Sequence, residues 1–341
     1  MILDFSNTTQ ISSLTREILA DSHTPEWKRD IFQFIAWYQH ESSDLTQRTS
    51  GSTGAPKAIT LPRKTLTASA LATNSFFNLH QSTNALLCIP AKYIGGKMMI
   101  LRALLGQWSI QLLEPKLKLD VTPLLQKVDF TAMIPAQVQV MLDYNFDLSA
   151  NFKTIIIGGA PVTQALEEKL AQHSGCYSTY GMTETASHVA LKHLGHSPYF
   201  IALDGITFST DENNRLIING NRVHHSPLLT NDVVKLISPT SFLWRGRFDF
   251  VINSGGVKII VEEMEKTIAT LIQDPFYIKK ETDSALGELP VLVLENETWS
   301  AERQGLLLRT LKEALPEFWA PRRLEFKTAF SYTESGKLLR N

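Results

Sequence analysis

Nine consecutive positions, Thr49-Ser50-Gly51-Ser52-Thr53-Gly54-Ala55-Pro56-Lys57, are small, hydroxylic or glycine up to a closing proline and lysine. Successive backbone N–H groups of such a loop can wrap phosphate oxygens; the hydroxyls of Thr49, Ser50, Ser52 and Thr53 add donors, and Lys57 adds a point charge. It is not a Walker A loop, because that motif needs glycine directly before the lysine and Ser or Thr after it, where Pro56 and Ala58 stand. A linker or a plain turn shares this composition. A second cluster is Ser178-Thr179-Tyr180-Gly181-Met182-Thr183-Glu184-Thr185. An aromatic ring beside a glycine can cover a flat base, Thr183 can bond a phosphate, and Glu184 is a hard oxygen ligand suited to Mg²⁺. Taken alone, Thr183 as a helix N-cap with Glu184 in the first turn is the simpler reading.

Two further groups are weaker by themselves. Gly246-Arg247-Phe248-Asp249 follows Thr230-Asn231-Asp232; a carboxylate such as Asp232 suits paired ribose hydroxyls, and Arg247 can support the same sugar or a phosphate. A surface turn tied by an Arg-Asp pair is the alternative. Near the C-terminus, Glu334-Ser335-Gly336-Lys337-Leu338-Leu339-Arg340 puts a lysine on a glycine turn that can swing into a site, or is a frayed tail. His188, His193 and His196 lie close in sequence and His224 and His225 are adjacent, but no cysteine or carboxylate spacing completes a zinc site.

The elements that must position these groups follow from periodicity. Ile18, Leu19, Ile31, Phe34, Ile35 and Tyr38 predict two helices within 14–41, broken at Pro25. From residue 66 the pattern alternates: helices over 66–79, 98–105, 121–127, 136–144 and 164–173, and strands over 85–89, 109–113, 130–134 and 154–157. Such alternation predicts an α/β fold with a mainly parallel sheet covered by helices. A β-rich segment over 205–243 interrupts it, with turns at 211–214 and 219–221. Beyond Gly246 a helix over about 261–273 and a strand over 290–294 predict a small α+β domain.

Composition bounds the rest. The chain has 341 residues, 43% hydrophobic and 20% charged, with 33 basic and 34 acidic side chains and a net charge of −1. Disorder and a collagen-like chain are excluded, and no global field recruits nucleic acid or an anionic membrane. Cys88 and Cys176 stand far apart without CxxC pairing, which fits a reducing cytosol. The start MILDFSNTTQ lacks the basic and apolar regions of a signal peptide, and no apolar run reaches membrane-spanning length, so a cytoplasmic protein is expected.

The four groups in this order, together with Gly158-Gly159-Ala160-Pro161, resemble the acyl-adenylate-forming superfamily of acyl-CoA synthetases, adenylation domains and luciferases, over residues 49 to 340. The resemblance implies a large N-terminal domain over 1–248 and a C-terminal lid over 249–341, hinged at Asp249. It makes Thr49, Ser50, Gly51, Ser52, Thr53, Gly54 and Lys57 the phosphate loop. Gly158, Gly159, Ala160 and Pro161 become an adenine-binding turn, Tyr180 with Gly181 the adenine stack, and Thr183 and Glu184 the phosphate and Mg²⁺ contacts. Asp232 becomes the ribose carboxylate, although the usual Thr-Gly-Asp reads Thr-Asn-Asp here; Arg247 is a second ribose or phosphate contact. Lys337 becomes the lid lysine that bridges the substrate carboxylate and the α-phosphate, and Gly255 and Gly256 the face offered to CoA.

The implied activity is ATP-dependent formation of an acyl-adenylate and transfer of the acyl group to CoA. The short stretch before Thr49, the sequence Ala91-Lys92-Tyr93-Ile94-Gly95-Gly96-Lys97-Met98-Met99-Ile100-Leu101-Arg102-Ala103-Leu104 and the Tyr-Gly-Met-Thr-Glu-Thr form resemble short bacterial o-succinylbenzoate-CoA ligases of menaquinone synthesis. Gly96, Arg102 and His188 are then acyl-pocket residues. Arg102 gives an independent hint: a guanidinium in an apolar helical run needs a counter-charge if buried, and the second carboxylate of an aromatic dicarboxylic acid supplies one. An internal ion pair or a head that snorkels to solvent would serve as well. Another aryl- or fatty-acyl-CoA ligase and a non-catalytic acyl- or nucleotide-binding module are the competing functions; a homo-oligomer is left open.

Overall fold

The computed structural model describes residues 1–40, 43–48, 58–122, 124, 127–223, 225–331 and 338–340. Two compact units divide the chain: the first takes residues 1–208, 218–228 and 237–242, the second 209–217, 229–236 and 243–341.

The first unit opens with β1 (Ile2–Asp4), α1 (Thr8–Ala20) and α2 (Glu26–His40). Asn7 caps α1 by accepting the Gln10 N–H at 3.0 Å, and Pro25 stands between the helices, its carbonyl accepting from Lys28 and Arg29. The predicted stripe of α2 is buried at Ile31, Phe34, Ile35 and Tyr38. Next come the hairpin β2 (Leu45–Arg48) and β3 (Ala58–Leu61), then α3 (Arg63–Phe76), β4 (Asn84–Leu87), α4 (Ile94–Gly106), β5 (Ser109–Leu112) and β6 (Val128–Met133). These are followed by α5 (Pro135–Asp143), α6 (Leu148–Asn151), β7 (Phe152–Ile157), α7 (Gln164–Leu170), β8 (Cys176–Gly181), β9 (His188–His193) and β10 (Phe200–Ala202). The strand order is β1-β5-β4-β6-β7-β8-β9-β10, in which β5, β4, β6, β7 and β8 run parallel and β1, β9 and β10 are antiparallel. Continuous apolar runs such as Ile155-Ile156-Ile157 are buried on both faces, as a helix-covered parallel sheet requires. The fold is thus mixed α/β, as the alternation predicts.

The helix expected over 121–127 is not formed at the described residues 121, 122, 124 and 127. The Asp120 carboxylate instead accepts both the N–H and the hydroxyl of Thr122, at 3.2 and 2.6 Å, and the Leu124 N–H reaches only Val121 O. This local turn competes with helix, and Pro123 further disfavours the α region at Thr122.

Between residues 206 and 247 lie β11 (Ile206–Thr210), β12 (Arg215–Gly220), β13 (Leu228–Ser238) and β14 (Ser241–Arg247), whose residues fall in both units. The predicted 211–214 turn is tied by Asp211, which accepts the N–H groups of Asn213 and Arg215. The second unit continues with β15 (Ile252–Ser254), β16 (Val257–Ile259), α8 (Val261–Ile268), β17 (Phe276–Asp283), β18 (Gly287–Glu295), α9 (Ala301–Ala314) and β19 (Leu324–Lys327). Its sheet runs β16-β15-β18-β17, with β19 parallel to β18, around a core that includes Ile252, Met264, Ile278, Leu292 and Leu311. Among the described residues no helix is long and apolar enough to cross a membrane.

Candidate active site

Parallel strands end together, and the groups singled out in the first unit stand at those carboxyl ends, where open α/β sheets bind ligands. After β4 the chain turns through Pro90 and Ala91 into α4. Gly96 lies so close to this turn that a Cβ would meet the Pro90 carbonyl oxygen at 2.3 Å. After β7 comes Gly158-Gly159-Ala160-Pro161. A Cβ on Gly158 would lie 2.1 Å from Thr179 Oγ1, and Gly159 has a φ of +85° that L side chains rarely adopt. After β8 the register against β9 shifts at Tyr180 and Gly181, and a single 3₁₀ turn forms over Thr183–Thr185.

Met182, not Thr183, precedes that turn as its cap residue. The Thr185 hydroxyl holds it by accepting the Met182 N–H at 2.9 Å and donating to Ser187 O at 2.6 Å. Ala186 leaves it with a φ of +62°, the strained backbone that functional turns often carry. Thr183 and Glu184 are partly exposed on the turn. Tyr180 is 9% exposed, its ring against Phe200 and Phe242 at centroid distances of 5.7 and 5.0 Å. The β2–β3 hairpin closes on the Arg48–Ala58 pair, and β3 runs beside the Thr183–Thr185 turn. Strand β3, which directly follows the 49–57 loop, thus lies beside the Glu184 turn; the loop itself lies outside the described residues.

Beneath the turn lies a buried polar cluster. Arg102 is 1% exposed, its Nη2 donates to Ser187 Oγ at 2.8 Å, and its Nε has no hydrogen-bond partner among the described residues. Its backbone carbonyl accepts from Asn74 Nδ2 at 2.9 Å. Burial lowers its pKa to about 9. Neither sequence alternative holds among the described residues: the head does not reach solvent, and no carboxylate pairs with it. His188, 7% exposed, shares a hydrogen bond of 3.1 Å with Thr73 Oγ1. Burial, then the charges of Arg102 and Arg222, hold its pKa well below the usual histidine value, so the ring is neutral.

In the second unit, Asp232 is 6% exposed and accepts Trp244 Nε1 at 3.1 Å, with Arg247 Nη1 3.8 Å away. Arg247 also donates to Asp249 at 3.0 Å, and Asn231 Nδ2 reaches both Asp249 oxygens at 3.1 and 3.2 Å. The asparagine that replaces the usual glycine therefore ties the Asp232 strand to Asp249. The Arg247 N–H goes to Glu262, whose carboxyl burial raises to about 7. Gly255 and Gly256, at φ +56° and +83°, make the two-residue turn between β15 and β16. Lys337 lies outside the described residues, as do Thr49, Ser50, Gly51, Ser52, Thr53, Gly54 and Lys57.

The partners Thr73, Asn74, Ser187, Arg222 and Trp244 escape the sequence reading. Only Ser187, adjacent to His188 and the Thr-Glu-Thr turn, carried a usable signal, that of proximity. Glu184 suits a magnesium ion, since Mg²⁺ takes one or two carboxylates and completes its shell with phosphate oxygens and water. Among the described residues no three His, Cys, Asp or Glu side chains cluster as a metal site of their own.

A family model described as AMP-binding enzyme matches residues 38–206. The chain is 32% identical to an acyl-CoA synthetase (AMP-forming)/AMP-acid ligase II-like protein from Dyadobacter fermentans, over 96% of each chain and with a TM-score of 0.64. It is 23% identical to the 2-succinylbenzoate--CoA ligase of Staphylococcus aureus over 86% of this chain, and spans 65% of that protein's length. Its fold matches that of Bacillus subtilis o-succinylbenzoate coenzyme A synthetase, solved with ATP and magnesium, at TM-score 0.75 and 19% identity over 87% of this chain and 68% of that one. With the glycine turn, the Tyr-Gly-Met-Thr-Glu-Thr segment and the hairpin that closes the 49–57 loop gathered at the sheet's carboxyl ends, these matches establish that the chain belongs to the AMP-binding enzyme family of AMP-forming acyl-CoA synthetases.

Proposed function

We propose that the protein activates a carboxylic acid with ATP to an acyl-adenylate and passes the acyl group to CoA, and that the acid is o-succinylbenzoate. The observation that carries the reaction class is that β3, which directly follows the 49–57 loop, runs beside the Thr183–Thr185 turn. A carboxylate is a poor electrophile at neutral pH. Its oxygen attacks the α-phosphorus of ATP, pyrophosphate leaves, and the resulting mixed anhydride is open to a thiol. The loop N–H groups, Thr183 and Lys57 hold the phosphates; Tyr180 and Gly158 to Pro161 flank the adenine, and Asp232 and Arg247 take the ribose. A magnesium ion on Glu184 would offset the phosphate charge.

Residues 249–341 act as a lid hinged at Asp249, which brings Lys337 to the reacting carboxylate and α-phosphate and then turns Gly255 and Gly256 toward the CoA arm. Buried Arg102 supports a dicarboxylic acid, because among the described residues it has no counter-ion. The free buried thiols of Cys88 and Cys176 fit cytoplasmic work.

Exchange of labelled pyrophosphate into ATP across a panel of aromatic, dicarboxylic and fatty acids, followed by CoA addition and thioester detection, tests this reading. Exchange with o-succinylbenzoate and formation of its thioester are expected. Exchange only with other acids points to another aryl- or fatty-acyl-CoA ligase, and none with any acid to a binding module.

A further inference from the structure

We propose that Arg340 is a positioning residue for the adenylation step, and that its ion pair with Glu265 anchors the segment bearing Lys337 to the helix that follows the glycine turn offered to CoA. The inference deepens the reading above and rests on it. All the groups involved lie in the second unit. Arg340 stands three residues after Lys337, at a chain end that frays unless something ties it down.

Three contacts tie it down. The Arg340 guanidinium grips Glu265 as a fork, Nη1 to Oε1 at 2.8 Å and Nη2 to Oε2 at 2.7 Å, with the two side chains only 19 and 17% exposed. Such a bidentate, largely desolvated pair fixes direction as well as distance, unlike an exposed ion pair. The same guanidinium lies over the Phe250 ring, 4.8 Å from its centroid. One residue earlier, the Leu339 N–H donates to Ser331 O at 2.9 Å, so described residues on either side of the Lys337 stretch are joined to each other.

What Glu265 and Phe250 belong to gives the pair its role. Glu265 is on α8, the element after the β15–β16 glycine turn, and its Oε1 also accepts the Ile278 N–H at 2.7 Å, which locks the carboxylate to β17. Phe250 directly follows the hinge residue Asp249. Arg340 therefore joins three parts of the lid that have separate work: the hinge, the helix behind the CoA face, and the segment with the adenylating lysine. A lysine on a flexible stem meets the reacting oxygens productively only if its backbone is held, since a misplacement of about 1 Å costs on the order of 100-fold in rate. An ion pair this enclosed adds little stability over apolar side chains of the same size, so its worth is directional.

The test is a double-mutant cycle of Arg340→Gln, Glu265→Gln and the two together, with Arg340→Lys as the conservative variant, read in both half-reactions. Pyrophosphate exchange driven by the preferred acid reports the first; thioester formation from chemically prepared acyl-adenylate and CoA reports the second. Each single substitution should slow exchange about 10-fold through kcat, with thioester formation within about 2-fold of the unsubstituted rate. The double variant should lose no more than either single one, because the two side chains act as a unit, and Arg340→Lys should recover part of the rate by keeping one charged contact. Equal slowing of both half-reactions overturns the proposal, since a lid that has lost its packing fails in both. Unchanged exchange in Arg340→Gln overturns it too, as do losses that multiply in the double variant. Where a Gln variant unfolds in melting curves, Arg340→Lys decides: slowed exchange with thioester formation kept supports the proposal, and unchanged exchange overturns it. Absence of exchange with any acid in the unsubstituted protein is a different result, which ends the ligase reading and with it the assignment of Arg340 to adenylation.

Discussion

Arg102 sits where a stability argument alone would place leucine. A fully buried guanidinium whose only side-chain partner among the described residues is a neutral serine costs folding free energy, and removing such a charge in favour of an apolar side chain of similar length should stabilise the fold. Arg102→Met is expected to raise the unfolding free energy by about 1–4 kcal/mol in urea titrations at pH 7 while depressing exchange driven by o-succinylbenzoate. Loss of both stability and activity would instead mark Arg102 as a packing residue. His188 gives a prediction of opposite origin. Its folded pKa lies well below the unfolded value, so below the unfolded pKa near 6.5 the unfolded chain binds a proton that the folded chain refuses. That stability is fully present above the unfolded pKa and is lost as pH falls, at up to about 1.4 kcal/mol per pH unit. His188→Asn should flatten the decline between pH 7 and 5 relative to the unsubstituted protein; an identical slope would mean that His188 titrates normally.

At the scale of elements, the site is made by strand ends that approach more closely than side chains allow. The turn after β7 meets β8 at Gly158, where a Cβ would collide with Thr179 Oγ1. Gly158→Ala is therefore expected to cost about 1–3 kcal/mol by overpacking, and Thr179→Ala in the same chain should recover much of it. Additive losses in denaturant melts would show that the two do not touch. The helix–strand alternation, the break at Pro25 and the hairpin turn at 211–214 were legible because local periodicity and turn chemistry decide them. The 121–127 segment was misread since apolar spacing there is overruled by the Asp120 turn and Pro123. Strands β9 and β10 and helix α9 gave no clear period, and α9 buries only Leu311. Pairs such as Asn231 with Asp249 and Arg102 with Ser187 join positions 18 and 85 residues apart, and no spacing rule reaches that far.

For the whole molecule, near-zero net charge means that a polyanionic nucleotide must be met by placed groups rather than by a field. The order of the motifs was legible because each is a short run of residues. The proposed acyl site was less so: only Arg102, Gly96 and His188 stood out, and the groups around them come from α3 and from the loops after β8 and β12. The lid role proposed for residues 249–341 predicts that the two half-reactions separate. Lys337 is assigned to the first alone, where it offsets charge on the carboxylate and α-phosphate; the proposed lid rotation withdraws it before thiol attack, in which charge develops on the carbonyl oxygen and the departing AMP without its help. Lys337→Ala should slow pyrophosphate exchange on the order of 100-fold or more, the scale set by loss of a preorganised donor. The same variant, given chemically prepared acyl-adenylate and CoA, should form thioester at close to the unsubstituted rate. Equal slowing of both steps would remove Lys337 from the adenylation chemistry and make it a binding residue, while unchanged exchange would end the assignment of residues 249–341 as a lid that carries a catalytic group.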